Sequence, residues 1–227
     1  MAEPSGPRQL ALALAHEASF AREDFLEAPC NKAALVLVER WPDWPDRVAA
    51  LVGPEGCGKS HLAAIWAETA HGRVMSARAL NEADLPAMLS TGALVIEDLP
   101  AGNLAERALF HLLNLAREQR AFVLLAARTA PAGWPVQIPD LASRLRAVPV
   151  ARLDAPDDTL LRGVLIKLFA DRQLTVDESV VAYLETRIER SFAAARATVS
   201  RLDREALRLQ RPVTRALAAE MLGHIEP

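Results

Sequence analysis

Little in this 227-residue sequence supports an extracellular or membrane setting. It has two cysteines, Cys30 and Cys57. Two thiols make no disulfide framework, and no metal-ligand spacing is present. The expectation is a cytoplasmic protein with reduced thiols. No apolar run approaches the length needed to span a bilayer, so no membrane partner is expected. Residues 1–8 are rich in Pro, Gly and Ser and lack the apolar core of a signal peptide. An excess of positive charge is missing too. The 26 Lys and Arg against 29 Asp and Glu give a formal net charge of −3, which argues against a domain devoted to duplex DNA. Internal repeats are absent, as is low-complexity sequence beyond the N-terminus. What remains is 51% apolar and 24% charged. That is a soluble globular composition, long enough to bury a large core as one domain or two.

The most informative stretch is Gly53-Pro54-Glu55-Gly56-Cys57-Gly58-Lys59-Ser60, which has the spacing G-x-x-x-x-G-K-[ST] of a phosphate-binding P-loop. Val48-Ala49-Ala50-Leu51-Val52 before it reads as a buried strand, and the residues from His61 to Glu68 read as the following helix. Glycines let the backbone curl so that successive N–H groups point at a polyphosphate. The helix adds its unpaired N-terminal N–H groups and the positive end of its dipole, with His61 in its first turn. Lys59 supplies a cation toward the β and γ phosphates, and the Ser60 hydroxyl can hold Mg²⁺. The expected ligand is ATP or ADP with Mg²⁺.

Around this loop, buried strands alternate with helices. A helix is expected over 32–40, ended by the Trp41-Pro42-Asp43-Trp44-Pro45 turn. Strands follow at 73–77, at Ala93-Leu94-Val95-Ile96 ending in Glu97-Asp98, at 122–127 and, at a sheet edge, at 147–150. Between them, Asn81 caps a short helix through Leu89, and residues 103–119 carry Leu104, Ala108, Leu112 and Leu115 at helical spacing. This pattern indicates an α/β fold with a parallel sheet. Past Arg152 the character becomes all-helical. Asp154 with Pro156 marks one start, and Thr175 with Glu178 a capping box for the next. A long helix then carries Phe192, Ala195, Val199, Leu202, Ala206 and Leu209 on one stripe. The expected division is a tail at 1–17, an α/β nucleotide-binding domain at 18–153 and a small helical domain at 154–227.

Several residues are chemical candidates by position. Glu97 and Asp98 end the third strand, where an open parallel sheet places ligand-binding groups. One acid there can hold Mg²⁺ and the next can orient the attacking water. Arg144, between the last two sheet elements, could stabilise charge on a γ-phosphate of a neighbouring molecule. Arg190 could reach phosphate from the helical segment. Near the N-terminus, Gln9, Leu10, Leu12 and Leu14 put three leucines on one face of an extended segment. Two readings stay open for it: a peptide that docks in another protein's groove, or an edge strand or helix start.

The P-loop, Ile96-Glu97-Asp98, Ser143-Arg144-Leu145 and the helical C-terminal segment together resemble an AAA+ ATPase of the DnaA branch, over nearly the whole chain. Within that branch the sequence is similar to the Hda family of short homologues, which act in the regulatory inactivation of DnaA. Such proteins begin with a clamp-binding peptide of the form Q-L-[SD]-L-P-L. Residues 9–14 keep its glutamine and leucines, with alanine at the serine and proline places. The resemblance implies a five-stranded parallel sheet followed by a helical lid. It makes 53–60 the Walker A motif and Glu97-Asp98 Walker B. Arg144 becomes an arginine finger acting on DnaA, and Arg190 the sensor 2 arginine. Phe25, Leu26, Asn31 and Lys32 would line the adenine pocket. Implied partners are the DNA polymerase sliding clamp and DnaA, with DNA reached mainly through the clamp; a nucleotide-dependent homo-oligomer is also compatible.

Two departures matter. Glu97 stands where Walker B usually has aspartate. Leu125-Ala126-Ala127-Arg128 offers two alanines where a polar sensor 1 residue would position water, so binding without fast hydrolysis is expected. The expected function is negative regulation of replication initiation. An autonomous DNA-associated ATPase or loader, and an adaptor that only recruits a DnaA-like partner, are the alternatives.

Overall fold

The computed structural model describes residues 20–100 and 102–223. The expected docking peptide, residues 9–14, lies outside the described residues. After a short 3-10 turn at Arg22–Asp24 the chain runs α1 (Lys32–Glu39), β1 (Val48–Val52), α2 (Lys59–Thr69), β2 (Arg73–Ser76), α3 (Leu85–Met88), β3 (Ala93–Leu99), α4 (Glu106–Gln119), β4 (Phe122–Ala127), α5 (Pro139–Ala147) and β5 (Val150–Arg152). Four helices follow: α6 (Asp158–Asp171), α7 (Glu178–Glu185), α8 (Phe192–Leu209) and α9 (Arg215–Gly223). The strands form one parallel sheet in the order β2-β3-β4-β1-β5.

Alternation along each strand assigns residues to two layers. Ala50 and Val52 of β1, with Ile96 and Leu125, pack against Leu109, Leu112 and Leu141 from α4 and α5. Ala49 and Leu51 face the other way, onto Leu35 of α1 and Leu62 and Trp66 of α2. Both faces are therefore covered, and this is why the strands read as unbroken apolar runs. Past residue 157 a third cluster forms. Leu161, Leu165 and Phe169 of α6 meet Val180 and Leu184 of α7 and Ala195, Val199 and Leu202 of α8. Their three- and four-residue spacing is the stripe expected of amphipathic helices.

Several boundaries differ from the sequence expectation, for local reasons. Helix α6 starts at Asp158, not after Asp154. Asp157 is extended there, and its carboxylate accepts from Leu160 N–H at 2.7 Å, leaving Pro156 outside the helix. Asp177, not Thr175, caps α7 by accepting from Ser179 N–H at 2.8 Å. Near both starts several side chains could cap, and the acid next to the first turn does so. The edge strand begins at Val150. Pro149, which has no N–H, lends only its carbonyl to Ala50 N–H at 2.9 Å. Leu104 stays outside α4. Strand β3 runs one residue past the two acids, to Leu99, with a register shift between Ile96 and Leu99.

Candidate functional site

The loop between β1 and α2 is gripped from two sides. A Cβ at Gly53 would lie 2.1 Å from the Leu153 carbonyl oxygen, so this passage past the end of β5 admits glycine alone. Gly56 has φ +72, and a Cβ there would lie 2.7 Å from Ser191 Cβ at the start of α8. The grip on that side includes a hydrogen bond, Phe192 N–H donating to the Gly56 carbonyl at 2.8 Å. The C-terminal helices thus meet the sheet domain at the phosphate loop itself. Lys59 Nζ donates to the Gly53 and Pro54 carbonyls at 2.9 and 2.6 Å, so its ammonium lies over the loop. Cys57 is buried; burial raises its thiol pKa despite nearby Lys59, which keeps it protonated and inert.

Two cavities open on either side of Lys59 and Ser60, and both include Gly56, Lys59 and Ser60 in their walls. The first, about 1190 Å³, adds Glu97, Asp98, Ala126, Ala127 and Arg128. Glu97 Oε1 is buried there with no hydrogen-bond partner among the described residues. A buried carboxylate oxygen left unpaired is costly. With the Ser60 hydroxyl on the same wall, it fits an oxygen-seeking divalent cation such as Mg²⁺. No cluster of three or more His, Cys, Asp or Glu residues forms a metal cage among the described residues, so phosphate oxygens and water would complete the shell. Asp98 sits in the β3 bulge with φ +56. Such irregularities re-aim side chains beside functional sites.

The second cavity, about 560 Å³, has apolar walls from Phe25, Leu26, Val164, Leu168 and Phe192. These suit a flat base, and the shared loop suits its phosphates. Lys167 of α6 bridges Asp24 at 2.6 Å and Asp171 at 3.0 Å across the rim, tying the segment before α1 to the C-terminal helices. Arg196 of α8 is half-buried in this wall with its guanidinium 5.4 Å from the Phe20 ring centre. Burial, then the like charge of Arg172, lowers its pKa.

The other sequence candidates separate clearly. His61 lines the second cavity, where it packs edge-on against Phe20 and Phe25, with Nε2–H donated to the Ala21 carbonyl at 3.2 Å. Asn31 is buried but works on the backbone: its amide oxygen accepts from Ala28 N–H and its NH₂ donates to the Leu26 carbonyl, both at 2.9 Å. Lys32 pairs with Glu27 at 3.3 Å, outside the cavity walls. Arg190 precedes Ser191, the cap of α8, and is drawn outward to Asp158 at 2.7 Å. It lines neither cavity, whereas Arg196, one turn into the helix, lines the second. The spacing Phe192, Arg196, Ser200 was the available signal, but it becomes meaningful only once α8 is seated on the loop. Arg144 lies on α5 with its guanidinium 5.9 Å from the Phe110 ring centre and lines neither cavity.

His61 gives a pH expectation. Burial, the largest influence, depresses its pKa below the ordinary 6.5, so the folded chain binds fewer protons than the unfolded chain below that pH. Stability should therefore be unaffected by this group above about pH 6.5 and fall as pH drops below it. The loss of melting temperature between roughly pH 7.5 and 5.5 should be smaller in His61→Gln than in the wild type. An equal loss would show that the imidazole is not held neutral.

A five-stranded parallel sheet in this order, covered on both faces and carrying its phosphate loop between β1 and α2, is the fold of an AAA+ P-loop domain. No protein-family profile matches the chain, but solved structures do. Domain III of the replication initiation protein DnaA from Thermotoga maritima superimposes with a TM-score of 0.74 at 19% identity, over 92% of this chain and 98% of that one. AMPPCP-bound DnaA from Aquifex aeolicus gives 0.66 at 17% identity, over 83% and 66%. The Thermotoga maritima RuvB Holliday junction branch migration motor gives 0.71 at 18% identity, over 91% and 72%. At such identities the likeness is one of fold: the chain has the DnaA-like AAA+ architecture, which RuvB shares. Among the described residues no helix is long and apolar enough to cross a membrane.

Proposed function

We propose that this chain is a nucleotide-binding regulator of replication initiation, one that acts on the ATP of a DnaA neighbour rather than on its own. Residues 18–153 form its nucleotide domain and 154–227 its lid. Adenine and ribose occupy the second cavity, and the phosphates lie on the loop amides and Lys59. Ser60 and Glu97 would hold Mg²⁺, which would neutralise phosphate charge. Asp98 lines the same cavity and would orient the attacking water. Ala126 and Ala127 line the same cavity, and their methyl groups cannot orient a water molecule, so hydrolysis by the chain itself is slow.

The observation that carries the reading is the placement of Arg144. It is mounted on α5 away from both cavities of its own chain, where a guanidinium serves as a finger for another molecule. Residues 9–14 bind the sliding clamp and hold the protein near DnaA at high effective concentration. The test is reconstituted DnaA·ATP hydrolysis with clamp loaded on DNA. Gln9→Ala with Leu10→Ala should abolish capture by the clamp and the stimulation that depends on it, and leave nucleotide affinity intact. Stimulation that needs neither the clamp nor these residues would contradict the tether.

A further inference from the structure

The first cavity contains an ion pair that the reading above leaves without a role. Arg128, the residue after the two alanines at the tip of β4, pairs its guanidinium with the carboxylate of Glu55 inside the phosphate loop. The two are 73 positions apart. They meet because β4 lies beside β1, with Val52 opposite Ala127. Both side chains line the cavity that also holds Lys59, Ser60 and Glu97. An acid in a loop shaped to hold anions is electrostatically adverse, and Arg128 neutralises it. Yet the side chains are 73% and 75% exposed, and an exposed pair of this kind is weakly held and readily exchanged.

We propose that this pair reads the third phosphate. It rests on the nucleotide-site reading and assigns that site a device for telling triphosphate from diphosphate. With a diphosphate, Arg128 stays on Glu55. A triphosphate offers a more highly charged partner with oxygens spaced for bidentate contact, and the guanidinium transfers to it. Glu55 is then released at the mouth of the site, so the bound nucleotide is signalled at the surface. A guanidinium has donors and no acceptor. It can hold a phosphate but cannot take a proton from water or aim its lone pair, so Arg128 restores recognition at the tip of β4 without restoring hydrolysis.

The experiment is calorimetric titration of the full chain with Mg·ADP and with Mg·AMPPCP, a triphosphate analogue that is not hydrolysed. Wild type, Arg128→Ala, Glu55→Gln and the double variant are compared, with melting curves to confirm folding. Arg128→Ala should weaken AMPPCP roughly tenfold and change ADP by less than about twofold. Glu55→Gln, which removes the competitor, should strengthen AMPPCP more than ADP, and that difference should vanish in the double variant. Equal changes for both nucleotides, or none, in folded variants that still bind ADP would overturn the proposal. Absence of binding by the wild type would instead overturn the nucleotide site on which it rests. Should Arg128→Ala fold poorly, Arg128→Lys, a point charge without the bidentate fork, should give an intermediate loss confined to AMPPCP.

Discussion

Under the proposed trans role, Arg144→Ala is expected to abolish stimulation of DnaA's ATP hydrolysis, a fall of about a thousandfold or more where the finger is fully engaged. The chain's own nucleotide affinity should not change, because Arg144 lines neither cavity. The mounting of the residue supports an effect of this size. Leu141 and Leu145 of α5 are buried against the sheet. The helix entry is pinned by Glu106 of α4, whose carboxylate accepts from Gln137 N–H at 2.8 Å and Ile138 N–H at 3.1 Å. Arg144 lies beside Phe110, within cation–π range. A finger works by arriving pre-positioned, and two helices fix the position of Arg144. Losing the cation–π contact costs about 0.5–1 kcal/mol, too little to unfold the domain. Arg144→Lys should recover only part of the stimulation, since an ammonium lacks the bidentate fork. A variant lacking Arg144 that stimulates DnaA as well as wild type would remove the trans role altogether.

Lys59→Ala should have the second-largest effect, and on a different quantity. The ammonium is held by the Gly53 and Pro54 carbonyls, within reach of the phosphates the loop would bind. Two charge-assisted hydrogen bonds from the ammonium to phosphate oxygens, at about 1.5–3 kcal/mol each, would amount to roughly 3–6 kcal/mol, so affinity for ATP or ADP should fall by two to four orders of magnitude. The carbonyl contacts that the nucleotide-free protein would lose lie on a loop, outside the three apolar clusters, so it should melt close to wild type. Stimulation of DnaA should fall along with nucleotide occupancy. Loss of stimulation with affinity unchanged would mean that Lys59 acts through something other than phosphate.

The parts of this site that neighbouring residues build were legible in the sequence. The phosphate loop is eight consecutive residues between an apolar strand and a helix. Glu97 and Asp98 announce themselves at the end of a buried run. The parts that depend on how distant elements dock were not. Among the arginines of the C-terminal helices, the family resemblance pointed to Arg190, but the cap at Ser191 leaves it before the helix, paired with Asp158. The orientation of α8 on the loop turns Arg196 inward instead. Asn31 and Lys32 are near the second cavity in sequence, yet one is committed to a backbone turn and the other to Glu27. The Glu55–Arg128 pair follows from the β1–β4 register, which alternating strands and helices do not specify.

The most direct measurement is the wild-type arm of the Lys59 comparison, a calorimetric titration of the purified, folded chain with Mg·ADP and Mg·ATP. The expected result is saturable binding of one nucleotide per chain, lost in Lys59→Ala. A folded wild-type protein that takes up neither nucleotide, or one that binds equally well without Lys59, would contradict it.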